Sequence, residues 1–185
     1  MARGFKFVTP KNWLEPDRVS SLLVKLDHRS GMVTSVDGRD WISFVNDLKL
    51  NDTVPVKVRD AYEFTIGAIG YAYFYYPLFT IVTEQVLRVA DFAVAHLFAL
   101  RSDLPKRKTF QARIEALRAL NYLDEASYTR WDAIRNLRNR STHPEWQQTW
   151  GPSSLDTIRV CVELVSNLPW SYDANTSSAD DVTVT

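Results

Sequence analysis

Residues 77–100 read PLFTIVTEQVLRVADFAVAHLFAL, and this stretch decides the fold. It closes a longer segment, Val56 to Leu100, whose pattern is helical and strongly apolar. Pro77 has no backbone N–H to donate and should kink or divide that segment. The part after it, Leu78 to Leu100, predicts one long helix. Its only formal charges are Glu84, Arg88 and Asp91, spaced i, i+4 and i+7, so they form a single stripe. Such a stripe is either a solvated face with one ion pair or the wall of a functional cleft that braces other side chains.

Reading outward toward the C-terminus, Ser102 to Thr109 is a polar connection containing Pro105. Phe110, Ile114, Leu117 and Leu120 then repeat at helical spacing. Asp124 or Ser127 is placed to cap a further helix, which carries Trp131, Ile134 and Leu137 to about Thr142 and stops at Pro144. After a loop with Trp146 and Trp150, Ser153 and Ser154 precede an amphipathic helix through Leu155, Ile158, Val162 and Val165. Residues 171–185 contain no Lys or Arg and predict a flexible acidic tail.

Toward the N-terminus, Arg39 to Leu50 has the spacing of a short amphipathic helix, and Met32 to Val36 that of a short strand ending at Asp37-Gly38. Glu15-Pro16-Asp17 predicts the start of a short helix running through Leu26. The expectation is an all-α protein. A bundle of four to five helices occupies residues 61–170, preceded by a less regular region over residues 1–60.

Composition narrows the function classes. Of 185 residues, 45% are apolar and 24% charged, which excludes disorder for most of the chain. Lys plus Arg equals Asp plus Glu at 22 each, so no global charge steers the protein to nucleic acid or membrane. The single cysteine, Cys161, excludes an internal disulfide and a cysteine zinc site, fits a reducing cytoplasm, and sits in an apolar run that reads as core. His28, His96 and His143 show no metal-ligand spacing, so neither metal nor cofactor is expected. The uncharged stretch Phe64 to Thr83 is long enough for a membrane helix. It nevertheless holds Gly67, Gly70, Pro77 and four tyrosines, with no Lys/Arg cluster at either end, so no span is expected. There is no G-x-x-x-x-G-K-[ST] phosphate loop, no G-x-G-x-x-G turn and no G-x-S-x-G elbow.

Charge is distributed unevenly, however. Arg101 to His143 contains ten basic and five acidic residues, a local excess of five, and a basic face of this kind can bind phosphates. Within it lies Arg135-Asn136-Leu137-Arg138-Asn139-Arg140-Ser141-Thr142-His143. At about 100° per residue, Arg138 points between Trp131 and Ile134, along the apolar face. A charge there needs a partner, a cleft or a subunit interface. Arg140 points nearly the opposite way. His143 converges with Arg138 only if the helix ends or bends between them.

Arg138-x4-His143, with Asn139 directly after the arginine, resembles the R-x4-6-H motif of HEPN domains (higher eukaryotes and prokaryotes nucleotide-binding). The order of helices is also similar: a long helix with an internal acidic residue, Glu84, then a basic amphipathic helix, then the Arg-Asn…His helix. The resemblance covers about Pro77 to Leu168. Pro144 stands where the family usually has a small residue or glycine. The resemblance implies a dimeric helical bundle and metal-independent RNA cleavage to a 2′,3′-cyclic phosphate, an activity that fits a toxin or defence effector. Arg138, His143 and Asn139 would be the catalytic set. Arg135 and Arg140 would contact RNA, with Glu84 and Arg88 in support. His143 has the chemistry to move the proton of the 2′-hydroxyl or of the leaving oxygen. Arg138 is suited to the transition-state charge. One chain offers one such histidine, and a two-fold dimer supplies two. The alternative is a non-catalytic HEPN-like module that binds RNA, nucleotide or a regulatory protein partner. Trp146 and Trp150 either stack bases beside the motif or cover the end of the bundle.

Overall fold

The computed structural model describes residues 6–27, 29–141 and 153–170. In chain order its elements are strands β1 (Val24–Leu26) and β2 (Val33–Ser35), then helices α1 (Gly38–Asn46), α2 (Val56–Ala72), α3 (Leu78–Leu100), α4 (Phe110–Ala119), α5 (Glu125–Ser141) and α6 (Ser153–Ser166). The fold is all-α with one small antiparallel hairpin, in which Val24 faces Ser35 and Leu26 faces Val33.

The apolar run breaks at the turn 73–77, and Pro77 becomes the cap residue of α3, where its missing N–H is no loss. The uncharged stretch 64–83 is therefore shared between two helices. No helix among the described residues is long and apolar enough to cross a membrane. α3 is the axis of the bundle and packs against α2, α4, α5 and α6. That accounts for its composition, because Val82, Val86, Ala90, Val94 and Leu97 are all buried.

Asp37 starts α1 with a reciprocal capping box. Its carboxylate accepts from the backbone N–H of Arg39 and Asp40, and the Asp40 carboxylate accepts from the Asp37 N–H. α1 is tied to α2 through Trp41, whose indole N–H donates to the carbonyls of Ile69 and Gly70 at 3.2 and 3.1 Å. Its ring packs edge-on against Phe79 of α3. α1 thus shares the bundle's core.

The expected helix from Glu15 to Leu26 does not form. Asp17 is buried and serves long-range contacts instead: its N–H donates to the Tyr73 carbonyl, and its carboxylate accepts from the backbone N–H groups of Val19 and Tyr76. This pins the segment across the 73–77 turn. Only one tight turn, Ser20–Leu22, remains before the chain extends into β1. Ser20, Ser21 and β-branched Val24 offer little helix propensity to oppose that extension.

Candidate functional site

The α4–α5 connection positions the basic residues. Thr109 opens α4, its hydroxyl oxygen accepting from the Ala112 N–H. At the other end Asn121 adopts φ 58°, the left-handed conformation that asparagine tolerates better than most residues. The N–H of Asn121 donates to the Arg118 carbonyl and that of Tyr122 to the Leu117 carbonyl. These two bonds make a Schellman ending. Asp124 rather than Ser127 then caps α5: its carboxylate accepts from the Ser127 N–H at 2.7 Å. The chain reverses within a few residues. Phe110 and Trp131 meet edge-to-face at 6.0 Å, joining the two helices.

α5 is longer than α4, and its last turns stand beside the first turn of α4 and the middle of α3. A cleft of about 380 Å³ opens there, lined by Lys108, Arg113, Arg135, Arg138 and Asn139 with Asp91 between them. Arg138 Nη2 lies 3.1 Å from Asp91 Oδ2, and Arg113 Nη1 lies 4.0 Å from Asp91 Oδ1. Arg113 also donates through Nε to the Arg107 carbonyl at 3.2 Å. Arg135 is neutralised locally, its Nε donating to Asp132 at 2.8 Å. The cations outnumber these two carboxylates, so the cleft is a positive pocket with one acid at its centre.

Asp91 of the charged stripe holds the arginine of the motif, and Arg88 lines the neighbouring hollow with both of them. Glu84 stands apart: among the described residues no ion pair joins it to Arg88 or Arg138. Arg138 points as the helical projection requires, on the side of buried Trp131 and Ile134, with 38% of its side chain exposed. Arg138 Nη1 approaches Asn139 Oδ1 at 3.4 Å. Arg140 is exposed and lines neither hollow. His143, Pro144, Trp146, Trp150 and the acidic tail lie outside the described residues. α6 starts at Ser153, so the two serines form its first turn, and the position that would cap it is also outside them. Cys161 is buried in the core, and burial pushes its thiol up to about 12, far from a thiolate at neutral pH.

Three residues of the cleft and its neighbouring hollow carried no individual signal in the sequence. Lys108 and Arg113 entered only as part of the basic excess. Phe92 read as one apolar residue among many, although it follows Asp91 directly and falls four residues after Arg88.

The sequence profile of a domain of unknown function, DUF4145, matches residues 82–175. The chain belongs to the DUF4145 family. The matched stretch takes in Asp91, Arg113 and Arg138, so the cleft is built within the DUF4145 segment. No curated protein matches the chain, and no solved structure does.

Proposed function

We propose that the cleft between α3, α4 and α5 binds RNA and that the chain is a HEPN-like, metal-independent endoribonuclease. The observation that carries this is Arg138, a half-exposed guanidinium in an open cationic cleft, oriented by Asp91 through one of its two terminal nitrogens. The remaining donors are free of Asp91, Nη1 making only the 3.4 Å contact to exposed Asn139 among the described residues, and are suited to a phosphate oxygen. In the proposed reaction the 2′-hydroxyl oxygen forms a bond to the adjacent phosphorus and loses its proton to one His143. The bond to the 5′-oxygen breaks, and that oxygen takes a proton from the His143 of a two-fold related subunit. The products are a 2′,3′-cyclic phosphate and a 5′-hydroxyl. Arg138 stabilises the charge that builds on the phosphoryl oxygens.

The test is incubation of RNA with the purified chain in EDTA, beside Arg138→Ala and His143→Ala. Cleavage by the wild type that is lost in both variants, with 2′,3′-cyclic ends, supports the proposal. Cleavage that survives both substitutions overturns the site.

A second function is favoured by the same ion pair. With Nη2 held by Asp91, Arg138 is a fixed anion-binding group suited to a non-catalytic RNA-binding module. A folded wild type that retains RNA without cleaving it assigns the module.

A further inference from the structure

A second hollow of about 310 Å³ adjoins the cleft and shares Asp91, Arg113 and Arg138 with it. Its α3 wall is Arg88, Phe92 and Ala95. Phe92 is the one aromatic residue in this lining and is 40% exposed. Its ring stacks on His96, with centroids 5.7 Å apart and planes 23° from parallel. Burial, with Lys57 nearby, holds the His96 imidazole below its ordinary range, so it is neutral at pH 7 and gives the ring an uncharged flat support. Other exposed aromatics, such as Phe64, lack this setting, because Phe92 shares its hollow with three arginines.

Cations fix phosphates without regard to base or strandedness. An aromatic face beside them adds a contact that only an unpaired base can accept, because duplex bases are already stacked on one another. The charge of the hollow, three arginines to one carboxylate, complements a polyanion rather than an apolar protein surface.

We propose that Phe92 is a base-stacking platform: a single-stranded nucleic acid lays its phosphates along Arg113 and Arg138 and rests one base on the Phe92 ring. This rests on the RNA-binding function above and deepens it, from phosphate binding to selection of unpaired strands. Base–aromatic stacking is ordinarily worth a factor of about ten or more per base in affinity.

The test uses the full chain and two fluorescent single strands of equal length. One is an oligodeoxynucleotide, which lacks the 2′-hydroxyl and so resists the proposed cleavage; the other is its fully abasic counterpart. The wild type is expected to bind the base-bearing strand about tenfold more tightly. Phe92→Leu, which keeps apolar volume without a π face, should abolish that difference, and Phe92→Trp should restore it. Arg138→Ala should weaken binding of both strands. Equal wild-type affinity for the two strands overturns the stacking inference and leaves phosphate binding standing. Failure to bind either strand overturns the stacking inference, and the same measurement on a 2′-O-methyl RNA strand then decides RNA binding separately. Should Phe92→Leu convert a dimer to a monomer in sedimentation, Phe92 is a subunit contact and the inference falls.

Discussion

Asp91 Oδ2 lies 3.1 Å from Arg138 Nη2, tying the middle of α3 to the last turn of α5. The same carboxylate reaches toward Arg113 of α4, so one acid organises cations from two other helices. A carboxylate held among guanidinium groups occupies the position that a phosphate oxygen would seek. Asp91 therefore orients Arg138 and competes with an anionic ligand at once.

Asp91→Asn separates those two roles. Both partners are partly exposed, so the loss of folding stability should stay below about 1 kcal/mol in urea denaturation. Removing one negative charge beside the cleft should tighten binding of a single-stranded oligonucleotide roughly threefold at moderate salt. Weaker binding would show that positioning of Arg138 outweighs competition.

Arg101 is the bundle's latch. It is buried at the end of α3 and donates to Asp103, to the Tyr122 hydroxyl and to the Pro169 carbonyl beyond α6. Arg101→Ala leaves several of these groups without their partner and should cost about 2–3 kcal/mol. An unchanged urea midpoint would contradict this role.

Asn121 holds the left-handed turn between α4 and α5. Asn121→Gly should leave stability equal or slightly raised. Asn121→Val should lower it by about 1–2 kcal/mol, because a β-branched side chain clashes in that conformation. Equal stability of the two variants would place the turn elsewhere.

Stability should respond to pH in two windows. His96 is held below its ordinary range by burial first and Lys57 second. The unfolded chain then takes up this proton more readily, so its contribution is present above about pH 6.5 and is lost as pH falls below that value. His96→Gln should flatten the stability profile between about pH 7 and 5. In a more acid window, Asp103 is held low by Arg101, Asp124 by the Ser127 N–H and Glu163 by Arg130. Their contributions are present above the ordinary carboxylate range and are lost as pH falls from that range toward their lowered values.

The helices were legible wherever periodicity and punctuation agreed. Pro77 marks the division of α2 from α3, and the positions of Trp131 and Ile134 in the sequence fix the direction of Arg138. Asp17 was not legible, because its helix-starting chemistry was spent on backbone groups of residues 73–76, contacts that no local pattern encodes. Within the cleft, the stripe on α3 pointed to Asp91 and Arg88. Lys108 and Arg113 come from a loop and another helix, and only the tight α4–α5 reversal brings them beside Arg138. Phe92 was hidden among apolar neighbours, since sequence does not tell an aromatic ring that lines a hollow from one that fills a core.

The DUF4145 match begins at residue 82, inside α3, yet the near face of that helix is covered by α2, and α2 is fastened in turn by the indole of Trp41. A fragment cut at the family boundary would lose buried Phe79 and, with α2, a helix against which α3 packs. The segment matched by the family is thus smaller than the packed unit around α3. The residues before 82 supply part of the core on which the cleft-bearing helix α3 rests.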